Sequence, residues 1–172
     1  MALSTKQQGV AKGMGLALFL SLASIGYAIY SNPLSFDDNT NRFEVLSYSF
    51  ILPTLFLLIS IGRLAKHRFI SAEDIDGSSL TQGSQQARIL QSIIQNTLEQ
   101  LVIALPIYFA WSTLAPSLWL SAVPICSALF LLGRILFAIG YKHGAPARSF
   151  GFALTFYSSA VLLLALLTAV IF

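Results

Sequence analysis

The chain of 172 residues is 56% hydrophobic and 10% charged, with a formal net charge of +3 and a mean hydropathy of +0.75. A soluble domain carries about 25% charged residues, so seven acids and ten Lys/Arg cannot cover a soluble fold this apolar. A soluble enzyme, a disordered chain and a soluble coiled coil are excluded, and a helical integral membrane protein of four or five spans remains. The basic residues fall in small groups at the ends of apolar runs, which fits membrane topology and not a phosphate-binding stripe, so nucleic acid is not an expected partner.

The charges divide the chain. No charge lies between Lys12 and Asp37, between Glu44 and Arg63, between Glu99 and Arg134, or after Arg148. About 20 apolar residues cross a bilayer as a helix, so the uncharged stretch around 99–134 is too long for one span. Pro116 cannot continue a helix and biases Ala115 away from helical angles, which places a break at Leu114-Ala115-Pro116-Ser117. Five spans follow, at 13–31, 46–65, 88–113, 117–141 and 149–171. The runs do not alternate in polarity as barrel strands would. The first run follows Lys6 and Lys12 as a signal peptide would. It continues through its small-x-small sites to Tyr30 without a polar turn, which argues for a retained helix. The loop of residues 66–87 is polar and expected to be mobile, with Glu73, Asp74, Asp76, Gly77, Ser78, Ser79, Gly83 and Ser84.

With the N-terminus in the cytoplasm, the inner segments hold Lys6, Lys12, Arg63, Lys66, Arg68, Arg88, Arg134, Lys142 and Arg148, and only Arg42 lies outside. This division is the one that retention of positive residues on the cytoplasmic side produces. Lys66, His67, Arg68 and Lys142 read as border residues, and Tyr27, Tyr30, Tyr108, Trp111 and Trp119 as interfacial anchors. Cys126, the single cysteine, lies in an apolar run and reads as a small buried residue. His67 and His143 are too far apart to give metal-ligand spacing, so no metal site is expected.

Polar residues inside the spans are where function is expected. Glu99 is the only acid within a predicted span, and Arg88, Ser92, Gln95 and Glu99 recur along one side of a helix, with Asn96 beside them. Arg134, Phe137 and Tyr141 share one side of the next helix, and Arg148 follows a short loop. Glu99 and Arg134 are expected to neutralise each other across a helix interface. Spacing alone leaves two readings open: a ligand site, or polar groups that hold the helices together. Arg134 and Arg148 have a third, as snorkelling border residues.

The series Asn96-Thr97-Leu98-Glu99-Gln100, then Leu132-Gly133-Arg134-Ile135-Leu136-Phe137-Ala138-Ile139-Gly140-Tyr141, then Arg148-Ser149-Phe150-Gly151-Phe152 resembles the MAPEG family, the membrane-associated proteins of eicosanoid and glutathione metabolism. The likeness covers residues 46–172 and rests on the Asn96/Glu99 pair followed by Arg134, Tyr141 and Arg148 in order across apolar spans. It implies an all-α architecture, an integral membrane four-helix bundle, in a homotrimer that binds glutathione between subunits near the cytoplasmic side. The segment 1–45, with its transmembrane helix and outer loop, is extra to that pattern, and 46–172 form the MAPEG-like domain.

Carried over from the family, Asn96 and Glu99 would contact the glutathione backbone, and Arg134 and Tyr141 its carboxylates and polar groups. Arg148 would be the catalytic residue that stabilises the thiolate, and Arg63 would lie near a glutathione carboxylate. The implied activity is that of a glutathione transferase or glutathione-dependent peroxidase, with glutathione as co-substrate and a small hydrophobic electrophile or hydroperoxide drawn from the membrane lipid. Two departures stand against it. Ser92 occupies a position where the family commonly has arginine, and Arg88, one turn earlier, is the expected substitute. Phe137 stands where a tyrosine is often found. The family has a non-catalytic lipid-binding branch, so a lipid-binding or structural protein on the same bundle is the alternative. The expected location is a bacterial inner membrane, with the N-terminus cytoplasmic.

Overall fold

The computed structural model describes residues 2–77 and 80–171; Ser78 and Ser79 of the inner loop, and Phe172 at the end of the last apolar run, lie outside the described residues. Five α-helices form the chain: α1 (Thr5–Ser31), α2 (Arg42–Ile70), α3 (Gln85–Leu114), α4 (Ala122–Gly140) and α5 (Ala145–Ile171). Short 3-10 turns at Ser117–Trp119 and Tyr141–His143 flank α4. All five spans are long and apolar enough to cross a membrane, α4 together with its flanking turns. No strand occurs among the described residues.

The helices run past the apolar spans because polar residues cap them. Ser4 and Gln7 form a reciprocal capping box at α1. Asn41 Oδ1 accepts from Glu44 N at 3.3 Å at the start of α2, and Ser84 Oγ from Ala87 N at 3.1 Å at the start of α3. At the other end of α3, Ala115 before Pro116 is extended (ψ 155°), as its proline requires. Arg42 closes that end: its Nη1 donates to the carbonyls of Ser112 and Ala115, and its Nη2 to Ser117 Oγ. The helix expected to begin near Ser117 starts at Ala122 instead. The residues between form a 3-10 turn whose Trp119 carbonyl accepts the Trp111 indole N–H at 3.1 Å.

Helices α2, α3, α4 and α5 pack around one apolar core, and α1 lies against α5 and α4. Trp111 and Tyr108, read as interfacial anchors, are fully buried in that core with Phe130, Val123 and Leu162; they sit on the inward stripe of α3. Tyr27 and Tyr30 are exposed, as anchors require. Pro53 interrupts α2 and leaves the Ser49 carbonyl without its helical donor. Ser127 Oγ of α4 supplies the missing bond at 2.6 Å, which ties α2 to α4 inside the core.

Helices α4 and α5 touch backbone to backbone. A Cβ on Gly133 would strike Thr155 Oγ1, one on Gly140 the Ala147 carbonyl, and one on Gly151 the Phe137 amide. The same device docks α1 on α5 in parallel. Gly9 faces Pro146 and Gly13 faces Ser149 and Phe150. Buried Ala17, Ser21, Ile25 and Ala28 continue the line.

Between α2 and α3, Asp74 ties residues 71–77 to the start of α3. Asp74 is buried, and its carboxylate accepts from Ser84 N and Ser84 Oγ at 2.7 Å each and from Ser71 Oγ at 2.9 Å. His67 Nε2 lies 2.9 Å from the same carboxylate. His67, read as a border residue, therefore fastens the end of α2 to the N-cap of α3.

Candidate functional site

The close approach of α4 and α5 forces Arg134 into the bundle. It is fully buried, so it does not snorkel to the border. Its Nε donates to Thr155 Oγ1 at 3.1 Å, its Nη2 to the Gly151 carbonyl at 3.4 Å, and its Nη1 to Asn96 Oδ1 at 2.7 Å. Hydrogen bonds to a charged donor contribute about 1.5–3 kcal/mol each, which is what a guanidinium at this depth requires. The expected pairing of Arg134 with Glu99 is not direct. Asn96 stands between them, accepting from Arg134 and donating to Glu99 Oε2 at 3.3 Å, while Gln95 donates to Glu99 Oε1 at 3.0 Å. The physical reason is the turn of α3: Asn96 is half-buried toward α4, whereas Glu99 faces outward and is exposed.

From Arg134 an aromatic series leads to the start of α5. The Arg134 guanidinium lies 4.6 Å from the centre of the Phe137 ring. Phe137 meets Tyr141 edge-on at 5.4 Å, and Arg148 stacks over Tyr141 at 4.4 Å. Arg134, Phe137 and Tyr141 thus follow one side of the α4 end, as the sequence predicts, and Arg148 joins them from α5. Arg148 stands in the first turn of α5; its backbone N–H donates to the Gly144 carbonyl, while its side chain makes no hydrogen bond or ion pair among the described residues, so the guanidinium N–H groups remain available to an anion.

Phe137, Tyr141 and Arg148 border a cavity of about 390 Å³, within the usual range for a small-molecule site. Its lining includes polar Ser92, Asn96, Tyr141 and Arg148 and apolar Val10, Met14, Phe137 and Phe152. Arg134 lies behind Asn96 and outside the lining, and Glu99 reaches the cavity only through Asn96. Arg88 is exposed and faces a neighbouring cavity of about 250 Å³ with Arg68, Asp74 and Gln91; Ser92 borders both. The Ser92 hydroxyl donates to the Arg88 carbonyl within its own helix at 2.9 Å. Arg63 is exposed elsewhere, beside Lys66, Ile70 and Gln86, and is not brought to the cavity.

Sequence reasoning missed Val10 and Met14. The signal that could have found them is the Gly9/Gly13 spacing, which brings α1 close to α5. It also missed Asp74 as a clasp, because nothing in a polar loop marks which acid is buried. Among the described residues, no three His, Cys, Asp or Glu side chains gather where a metal would bind.

The sequence model of the MAPEG family matches residues 45–168. An uncharacterized protein of Synechocystis sp. is 34% identical over 125 residues, which cover 68% of this chain and 79% of that protein. No solved structure matches. With five membrane-length helices and a family match over most of its length, the chain is an integral membrane protein that belongs to the MAPEG family.

Proposed function

We propose that this chain is a membrane-bound glutathione transferase or glutathione-dependent peroxidase. The family includes such enzymes, and its members generally use glutathione. The observation that carries the reading is Arg148: a half-buried guanidinium stacked on Tyr141, without an acidic partner among the described residues, facing a cavity shared with Asn96.

Asn96, held by Arg134, offers the peptide part of the tripeptide a fixed amide, Tyr141 offers a hydroxyl, and Arg148 offers a cation to the sulfur. A thiol titrates near 8.5, and lowering that by about two units takes roughly 2.7 kcal/mol. A guanidinium about 4 Å from the sulfur, at an effective dielectric of about 20, is worth about 4 kcal/mol. The N-terminal end of α5 adds about 0.3–1 kcal/mol in the same sense. The thiol proton passes to water. The sulfur lone pair then forms a bond to an electrophilic carbon, and the leaving group departs with its bonding pair. With a conjugated acceptor, the displaced π pair ends as a C–H bond after protonation by water. With a hydroperoxide, the sulfur attacks oxygen, the O–O bond breaks to an alcohol and a sulfenic acid, and a second glutathione converts the sulfenic acid to a disulfide with loss of water.

On this reading the protein works as a homotrimer. Glu99 is an exposed carboxylate halfway along a membrane-spanning helix, among exposed Leu98, Val102 and Ile103. An acid in contact with lipid is costly, so packing against a second copy suits this face. Arg63, remote from the cavity of its own chain, then serves a neighbouring copy. Residues 1–45 are an addition to the family unit of 46–172. The nine-to-one distribution of basic residues and a cyanobacterial relative favour a bacterial inner membrane with a cytoplasmic N-terminus.

The alternative is a lipid-binding or structural protein. It is favoured by Ser92, whose hydroxyl is occupied within its own helix, and by Phe137, which brings no phenol to the site. Thermal unfolding with and without millimolar glutathione, beside a conjugation assay, separates the two. The transferase reading expects wild type to gain several degrees, since ligand at about 100 times its dissociation constant adds about 2.7 kcal/mol. Arg148→Ala is expected to remain folded and to lose about a hundredfold in conjugation, the same energy in the barrier. No stabilisation and no conjugation by wild type would establish the alternative.

A further inference from the structure

Helix α1 lies outside the stretch that matches the family, yet it forms part of the cavity. Its position follows from two glycines. Gly9 meets Pro146 and Gly13 meets Ser149 and the Phe150 backbone, so α1 approaches the first turn of α5 more closely than a side chain would permit. Each glycine is followed by a larger residue, Val10 and Met14, four apart and therefore on one face. Both residues line the cavity, together with Asn96 and Ser92 of α3.

The site is thus divided by chemistry. Arg148, Tyr141 and Asn96 suit a charged, hydrogen-bonding molecule. Val10 and Met14 of α1, with Phe152 of α5, offer no hydrogen bond and suit an apolar one. Met14 is unbranched and partly exposed, so it bounds the cavity with a side chain that adapts to different shapes. Beyond it, α1 presents Leu16, Leu18, Phe19 and Leu22 outward, a surface suited to the acyl chains from which an apolar molecule would arrive.

From this arrangement we infer that α1 is the specificity element of the enzyme: Val10 and Met14 form the wall of the electrophile subsite and set how long an apolar co-substrate the thiolate can reach. The inference rests on the glutathione-transferase reading above. It assigns a substrate-selecting role to a helix that the family pattern lacks.

The test is a series of unbranched conjugated alkenals of increasing chain length, conjugated by the full-length protein with glutathione in lipid nanodiscs. The measured quantity is the ratio of kcat/KM for the longest alkenal to that for the shortest. Met14→Trp is expected to lower this ratio by about tenfold, as a few displaced methylenes do in an apolar pocket. Met14→Ala and Val10→Ala are expected to raise it severalfold, and they answer the question even if the tryptophan variant fails to fold. Phe19→Ala, on the outward face of α1, is expected to leave the ratio at the wild-type value. A general loss of stability would scale all alkenals alike and not change the ratio. Ratios unchanged in all three cavity variants, with wild-type conjugation intact, would overturn this inference alone. Absence of conjugation by wild type with every alkenal would overturn the transferase reading and this inference with it.

Discussion

Asp74 is the residue on which the inner loop depends. Its carboxylate is held down to a pKa of about 2, first by the Ser84 amide and hydroxyl and then by the Ser71 hydroxyl and His67, although burial opposes this. In the unfolded chain an aspartate titrates near 3.9. The folded value lies below the unfolded one, so this stabilisation is complete above about pH 4 and is lost as pH falls through about 2. Thermal unfolding of wild type and Asp74→Asn between pH 7 and pH 2 checks this. Wild type is expected to be several degrees more stable at pH 7, and the gap is expected to close below about pH 4; curves that stay parallel would show that the clasp does not hold the loop. A sequence gives the charge of a loop residue but not its depth, which is why Asp74 was not singled out beside Glu73 and Asp76. Asn96 and Glu99 show the converse. Their types and spacing marked the polar stripe, but only the rotation of α3 decides that Asn96 receives Arg134 and Glu99 faces out.

At the scale of helices, the contact of α4 with α5 positions the site, because it places Arg134 under Asn96 and brings Arg148 over Tyr141. A Cβ at Gly151 would strike the Phe137 amide and lie 2.6 Å from the Gly133 carbonyl. Both are backbone and cannot swing away. Gly151→Ala is therefore expected to cost about 1–3 kcal/mol, the usual penalty of overpacking. Gly15→Ala, where a Cβ meets nothing within 4 Å, is expected to change stability by less than about 1 kcal/mol in either direction. Melting both variants beside wild type tests the assignment, and equal losses would show that the α4–α5 contact yields more easily than its geometry implies. The existence of five helices was legible because apolar length is a strong signal. Their ends were less so: caps at Ser4, Asn41 and Ser84 extend α1, α2 and α3 into polar sequence. The 3-10 turn after Pro116 delays α4, because the Trp119 carbonyl is held by the Trp111 indole N–H, a contact that no hydropathy pattern encodes.

Across the whole molecule, the direction of each helix decides which compartment the cavity meets. Helices α2 and α4 end on the same face as the start of α1, so the loop around Asp76 and the α4–α5 junction with Tyr141 and Arg148 share one side. On the proposed orientation that side faces the cytoplasm, where low-molecular-weight thiols are kept reduced. Cys126 makes this open to test, because the single native thiol is fully buried and gives a silent background toward a membrane-impermeant maleimide. Asp38 and Asp76 are both exposed, in the α1–α2 and α2–α3 loops respectively. In intact bacterial spheroplasts, Asp38→Cys is expected to label fully, and Asp76→Cys only after lysis. The reverse pattern would place Arg148 on the outer face, away from the reduced thiol pool, and would remove the co-substrate on which the proposed chemistry depends. Labelling of Asp76→Cys only after lysis would instead put the α4–α5 junction, and with it Arg148, in the compartment that holds the thiol.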